Sequence, residues 1–316
     1  MKRTPLLALL AAGSLSAADP AVRTLLTDSP VQSVFFLPGG TAMVATCADK
    51  HMRKWDTGSG KMIGDRALPS GGFLLDSNLL AEYSDSNRKA FRIWDLTADR
   101  QRQTINGPLG GTALSRDGKQ LAIASPEERS VRLLNPDTGE QRHMLADGIG
   151  GAAALLFSPD GATVVSANSD NDIRIWKTQS GELVRKIEDL TGAMFAAAFT
   201  PDGRELVMGG LDETVYIFDG KTYGLKRALK GHGETIAALA ISPDGRTLVT
   251  GGFDVATVNN PVKLVFWDLA AGIVTRTVRS PHAVSSLAFS PDGKWLAMAA
   301  VGGKEISLFN LTSAPQ

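Results

Sequence analysis

Short runs in which apolar and polar residues alternate fill the chain from about Val22 onward, broken by glycine, proline, aspartate, asparagine and serine. A period of two marks half-buried strands, and the breaking residues are turn-formers. One complete unit is predicted as strands over Leu155 to Ser158, Thr163 to Ala167, Asp172 to Trp176 and Leu183 to Ile187, joined by Pro-Asp-Gly, Ser-Asp-Asn-Asp and Ser-Gly turns. Only the first residues show helical periodicity, so almost no helix is expected elsewhere.

The strand pattern repeats. A large apolar residue followed by a polar one recurs as Trp55-Asp56, Trp94-Asp95, Leu134-Asn135, Trp176-Lys177, Phe218-Asp219, Trp267-Asp268 and Phe309-Asn310, at intervals of 39, 40, 42, 42, 49 and 42 residues. A period of roughly 40 to 45 is that of four-stranded propeller blades. In phase with it run the turns Pro159-Asp160-Gly161, Pro201-Asp202-Gly203, Pro243-Asp244-Gly245 and Pro291-Asp292-Gly293, with weaker copies at Pro38-Gly39-Gly40 and Arg116-Asp117-Gly118. Proline presets the first corner, aspartate bonds its own backbone, and glycine takes the positive φ that ends the turn.

The last unit has strands near Val284 to Phe289, Trp295 to Ala299 and Glu305 to Phe309, and its outer strand is missing. Val22-Arg23-Thr24-Leu25 reads like Thr275-Arg276-Thr277-Val278, an outer strand of the preceding blade. The N-terminal segment is therefore expected to complete the last blade, which pairs two otherwise free sheet edges.

These markers resemble the WD-repeat family, in seven copies from Val22 to the C-terminus. Gly231-His232 and the aromatic-Asp endings carry the likeness, and the units ending at Trp94 and Leu134 are degenerate. The resemblance implies an all-β, seven-bladed propeller of four-stranded antiparallel blades. It also implies a bracing network, which maps onto His232, Thr250, Asp254 and Trp267, and less completely onto Ser166, Asp170 and Trp176. Asp49 and Asp212 stand six residues before Trp55 and Phe218, as Asp170 does before Trp176, and are expected to accept backbone N–H groups in tight turns.

Met1 to Ala18 combines Lys2 and Arg3 with an apolar stretch and small residues, a secretory signal pattern. The expected domains are a cleaved signal peptide, 1–18, and a single propeller, 19–316, exported to a bacterial-type envelope or beyond. No later run is long and apolar enough to span a bilayer. The charges balance, with 33 basic and 33 acidic residues, so no global field draws in nucleic acid, though a local patch is open. Cys47 is the single cysteine and lies in an apolar stretch, as a buried inert thiol would.

Chemistry is sparse. The four histidines are scattered, no Cys-x-x-Cys or His-x-x-x-His occurs, and no phosphate-cradling glycine motif is present. No metal or cofactor is expected. Residues aligned on the inner strands, Ser33, Ala154, Ala196, Ala238 and Ser286, are all small, and offer no group to move a proton. A non-enzymatic platform for a protein or peptide is therefore expected, as a monomer or as a subunit of a larger complex. A propeller enzyme of the lactonase or sugar-acting kind is the alternative.

The long interval before Trp267 arises from Val255 to Pro261, whose Val255 and Val258 with Phe253 form a candidate apolar contact. Lys50, Asn87, Arg88, Ser169, Asn171, Leu211 and Glu213 from the matching turns, with His232 and Glu234 nearby, complete the candidate binding face.

Overall fold

Each repeat folds as predicted because its strands are too short to stand alone and its turns are tight enough to keep them antiparallel. A computed structural model describes residues 22–75, 78–84, 90–106, 111–125, 129–146, 152–168, 172–188, 190–254 and 261–313. Within these residues lie seven sheets of four antiparallel strands each. Blades four to six run in simple order from an inner strand to an outer one. Blade six, for example, comprises Thr235–Ile241, Thr247–Phe253, Val262–Asp268 and Ile273–Ser280. Blades two and three have inner strands of three residues only, Gly72–Leu74 and Thr112–Leu114, as their weaker motifs foretold.

Blade seven is completed by the N-terminal strand. Val22–Leu26 pairs antiparallel with Glu305–Asn310, in a register that sets Val22 opposite Phe309 and Leu26 opposite Glu305. Leu25 enters the apolar layer shared with blade one, beside Val34, Trp55 and Ile306. The expected clasp is thus present.

No blade owns a core. The apolar side chains divide into seven layers, each built from the facing sides of two neighbouring blades. Between blades five and six, for instance, Val207 and Ile217 meet Ile236, Leu248 and Trp267. Layers of this kind are how stacked repeats bury faces that a single unit leaves wet.

The turns at the lower face have a shared chemistry. In five blades a hydroxyl two residues before the aspartate donates to its carboxylate, from Ser115, Ser158, Thr200, Ser242 and Ser290, at 2.5–2.7 Å. The same carboxylates accept the backbone N–H two residues on, as Asp202 does from Arg204 at 3.0 Å. The hydroxyl first, then the amide, hold these carboxyls below their ordinary range; at Asp292 the hydroxyl is again the main cause. Gly203 takes the positive φ of its turn, 69°. A Cβ there would meet Pro159 of the preceding blade only at ordinary contact distance, 3.5 Å, so the positive φ rather than space is what favours glycine.

A second recurring device joins the outer strands. Arg23 donates to the carbonyls of Thr57 and Gly58, Gln103 to Asp137, Arg185 to Thr222, and Arg227 to Leu269 and Ala270, at 2.7–3.3 Å. His143 Nε2 meets the Gln179 carbonyl at 2.9 Å, which requires the Nε2–H form, and Arg66 faces the Asp99 carboxylate at 3.6 Å. In every case a long polar side chain crosses from one blade's outer strand to the next blade's third turn.

Candidate functional site

The upper face carries the turns between second and third strands and the connections from one blade to the next. Its residues are placed by two backbone features. The first is a bulge repeated on five inner strands, where the register slips at Val31/Ser33, Ala152/Ala154, Met194/Ala196, Ile236/Ala238 and Val284/Ser286. A bulge leaves one residue unpaired and re-aims its side chain. In blade five that residue is Phe195, which is 37% exposed. Its ring packs against Phe253 of blade six, with centroids 6.4 Å apart. Leu211, on the adjoining turn of blade five, is 45% exposed.

The second feature is left-handed backbone. Lys50 and Glu213 have φ of 63° and 64° at matching turn positions, where their N–H groups donate to the carbonyls of Cys47 and Gly210. Charged residues therefore occupy a conformation that glycine adopts without cost. Lys50 Nζ donates to the Pro69 carbonyl at 3.2 Å. Glu213 is exposed.

The bracing network in blade six is largely as expected. Trp267 Nε1 donates to Thr250 Oγ1 at 2.9 Å, and Thr250 Oγ1 meets His232 Nδ1 at 3.1 Å. His232 is fully buried. Burial, aided by the nearby Lys263 charge, pushes its pKa down to about 4, so the ring is neutral at pH 7. His232 Nε2 has no hydrogen-bond partner among the described residues, so this chain of bonds ends at the imidazole. Asp254, half-buried at the end of the second strand, makes an interaction of its own. Glu234 accepts the backbone N–H of Lys263 at 3.0 Å.

One expectation is corrected. Ser166 Oγ and Trp176 Nε1 are buried and each lacks a partner among the described residues, so the incomplete network of blade four does not form there. Asp49 accepts the backbone N–H of His51, as a turn-former would, and its carboxylate also forms a two-pronged pair with Arg53, at 2.6 and 3.1 Å. That guanidinium holds the carboxyl below its ordinary range. Asp212 likewise accepts a backbone N–H, from Thr214 at 3.3 Å, and it takes the Tyr216 hydroxyl at 2.5 Å besides. Burial first and then this carboxylate raise the Tyr216 pKa.

The small inner-strand residues are packing elements. Ala238 sits in the layer between blades six and seven. Ser33 shares a 2.8 Å hydrogen bond with Thr46, and Ser286 Oγ accepts the Val34 N–H from blade one at 3.3 Å. Cys47 is buried, which pushes its thiol pKa up. Asn87, Arg88, Ser169, Asp170, Asn171, Val255 and Val258 lie outside the described residues.

Phe195 escaped the sequence reading. A signal existed: among residues immediately before the aligned small positions, Gln32, Ala153, Phe195, Ala237 and Ser285, it alone is aromatic. Among the described residues no group of three or more His, Cys, Asp or Glu is placed to hold a metal ion. No described helix is long and apolar enough to cross a membrane.

A ring of seven four-stranded sheets, closed by pairing of distant strands, defines a β-propeller. Comparison with known proteins places the repeat. The WD domain, G-beta repeat, matches residues 142–177, 181–219, 224–254 and 273–310. An uncharacterized WD repeat-containing protein of Synechocystis sp. is 34% identical over 137 residues, 41% of this chain and 38% of that protein. The likeness thus spans less than two fifths of that relative's length. The fold is a seven-bladed β-propeller, and four stretches of it match the WD repeat.

Proposed function

We propose that this protein is an exported, non-enzymatic scaffold that holds a protein or peptide on its upper face. The observation that carries the reading is the Phe195–Phe253 pair, a partly exposed aromatic contact spanning two blades. Beside it stand Leu211 and, held in left-handed backbone, Glu213. Aromatic anchors ringed by polar groups are the usual centre of a protein interface. Backbone strain of this kind clusters where a surface has work to do. WD-repeat propellers in general engage protein or peptide partners, and that likeness of fold supports the reading by analogy.

Export rests on the signal pattern at residues 1–18, which lie outside the described residues. The non-enzymatic role rests on side chains that are already engaged in bracing: Thr250 and His232 hold Trp267, and Asp212 holds Tyr216.

A photo-crosslinking residue at position 195, compared with one at the exposed position 144 on the outer strand of blade three, tests the binding reading in the native host. Crosslinks to one dominant polypeptide from position 195, abolished by Leu211→Asp, are expected. Equal, diffuse products from both positions would overturn it. An intact N-terminus on the mature protein would overturn export, and turnover of a lactone panel would overturn the non-enzymatic role.

A further inference from the structure

The outer strand of blade six, Ile273–Ser280, stands apart from the other outer strands. It has eight residues, against five to seven in the others. Five of the eight are β-branched, and none is acidic, proline or glycine. It pairs along its whole length with Val262–Asp268, and among the described residues nothing pairs with its other edge. Ile273 and Val274 are 58% and 41% exposed. Natural proteins usually blunt such an edge by keeping it short or interrupted.

Three cations flank this ladder. Arg276 lies over the Phe266 ring at 5.9 Å, while Arg279 and Lys263, opposite each other in the register, are exposed. Beside the strand opens a groove of about 540 Å³, lined by Thr275 and Arg276 of the strand itself and by Phe266, Phe289, Pro291 and Leu311. The acids at its lower end, Asp244 and Asp292, already hold the Ser242 and Ser290 hydroxyls.

We infer that this edge accepts an extended acidic peptide segment of another protein as a fifth strand, with one apolar side chain set into the groove between blades six and seven. Main-chain bonding to the free edge supplies affinity, and the groove with its cations supplies selection. This surface is on the outer wall and is separate from the upper face proposed above.

The probe is a fluorescein-labelled peptide of alternating aspartate and valine with one central phenylalanine, titrated with the full chain by fluorescence anisotropy. Two further peptides have alternate backbone amides N-methylated, or lysine in place of aspartate. Saturable binding of the first is expected, with a loss of roughly tenfold or more for each of the others. Arg279→Glu, at an exposed position, is expected to weaken binding at an unchanged melting temperature. Phe195→Asp is expected to leave it intact. Absence of binding, equal binding of the N-methylated peptide, indifference to Arg279→Glu, or loss with Phe195→Asp would each overturn the inference; the last would move the peptide to the upper face.

Discussion

The Tyr223 hydroxyl shares a 2.6 Å hydrogen bond with Thr163 Oγ1, reaching from a turn of blade five into blade four. Tyr223 does so from left-handed backbone, φ 55°, at the place where Gly60, Gly139, Gly181 and Gly272 serve the matching turns. A buried ring and its bond thus offset the strain of a side chain where glycine fits. Tyr223→Phe should cost about 1 kcal/mol, and Tyr223→Ala about 3 kcal/mol or more, because the cavity adds to the lost bond. Urea unfolding of both variants checks the order.

Asp99 occupies the same turn position in blade two, with φ 47°, but has nothing comparable to offset it. It is 89% exposed and only faces Arg66, an ion pair of little weight in solvent. Asp99→Gly should therefore stabilise the protein by about 0.5 kcal/mol. A lower denaturation midpoint would refute the assignment of strain.

His232 makes stability depend on pH. Its folded-state pKa of about 4 lies below the ordinary 6.5, so the unfolded chain binds the proton more readily. This contribution is complete above pH 6.5 and declines as pH falls from there toward 4. His232→Gln should flatten that limb of the melting-temperature profile while lowering its plateau. A limb of equal steepness in the variant would show that other groups cause it.

The cross-blade bonds of the outer strands should carry measurable weight. Arg227→Ala removes two charge-assisted donors to the carbonyls of Leu269 and Ala270, both at 2.8 Å, and should cost about 1–2 kcal/mol. Arg23→Ala acts at a distant layer, so the double variant should show near-additive losses. Strong coupling between the two would mean that the ring transmits strain around its circumference.

Much of the architecture was legible because it is local or periodic. The Pro-Asp-Gly turns and aromatic-polar endings gave the blade period and located the strands of blades four and seven, and the likeness of Val22–Leu25 to Thr275–Val278 revealed the closing strand. The serine or threonine before each turn aspartate went unread, although Ser158 and Thr200 stand in plain sequence. What the sequence hid is non-local. The Arg23, Gln103 and Arg227 bonds join residues 34–43 positions apart, and the inner-strand bulge that turns Phe195 outward is a matter of register rather than composition. The missing Ser166–Trp176 bond is of the same kind, because motif matching supplies residue types and not the distances between them. Balanced total charge likewise concealed an outer strand with two arginines and no acid.

The register of the closing strands also sets how the ring bears load. Val22 lies opposite Phe309, so a pull on the backbone at these two positions acts at one end of the ladder and perpendicular to it. The pairs then separate in succession, as in a zip, instead of shearing together. Tension applied there opens the wheel at low force, whereas the same tension applied across Leu26 and Phe309 loads all the pairs in parallel.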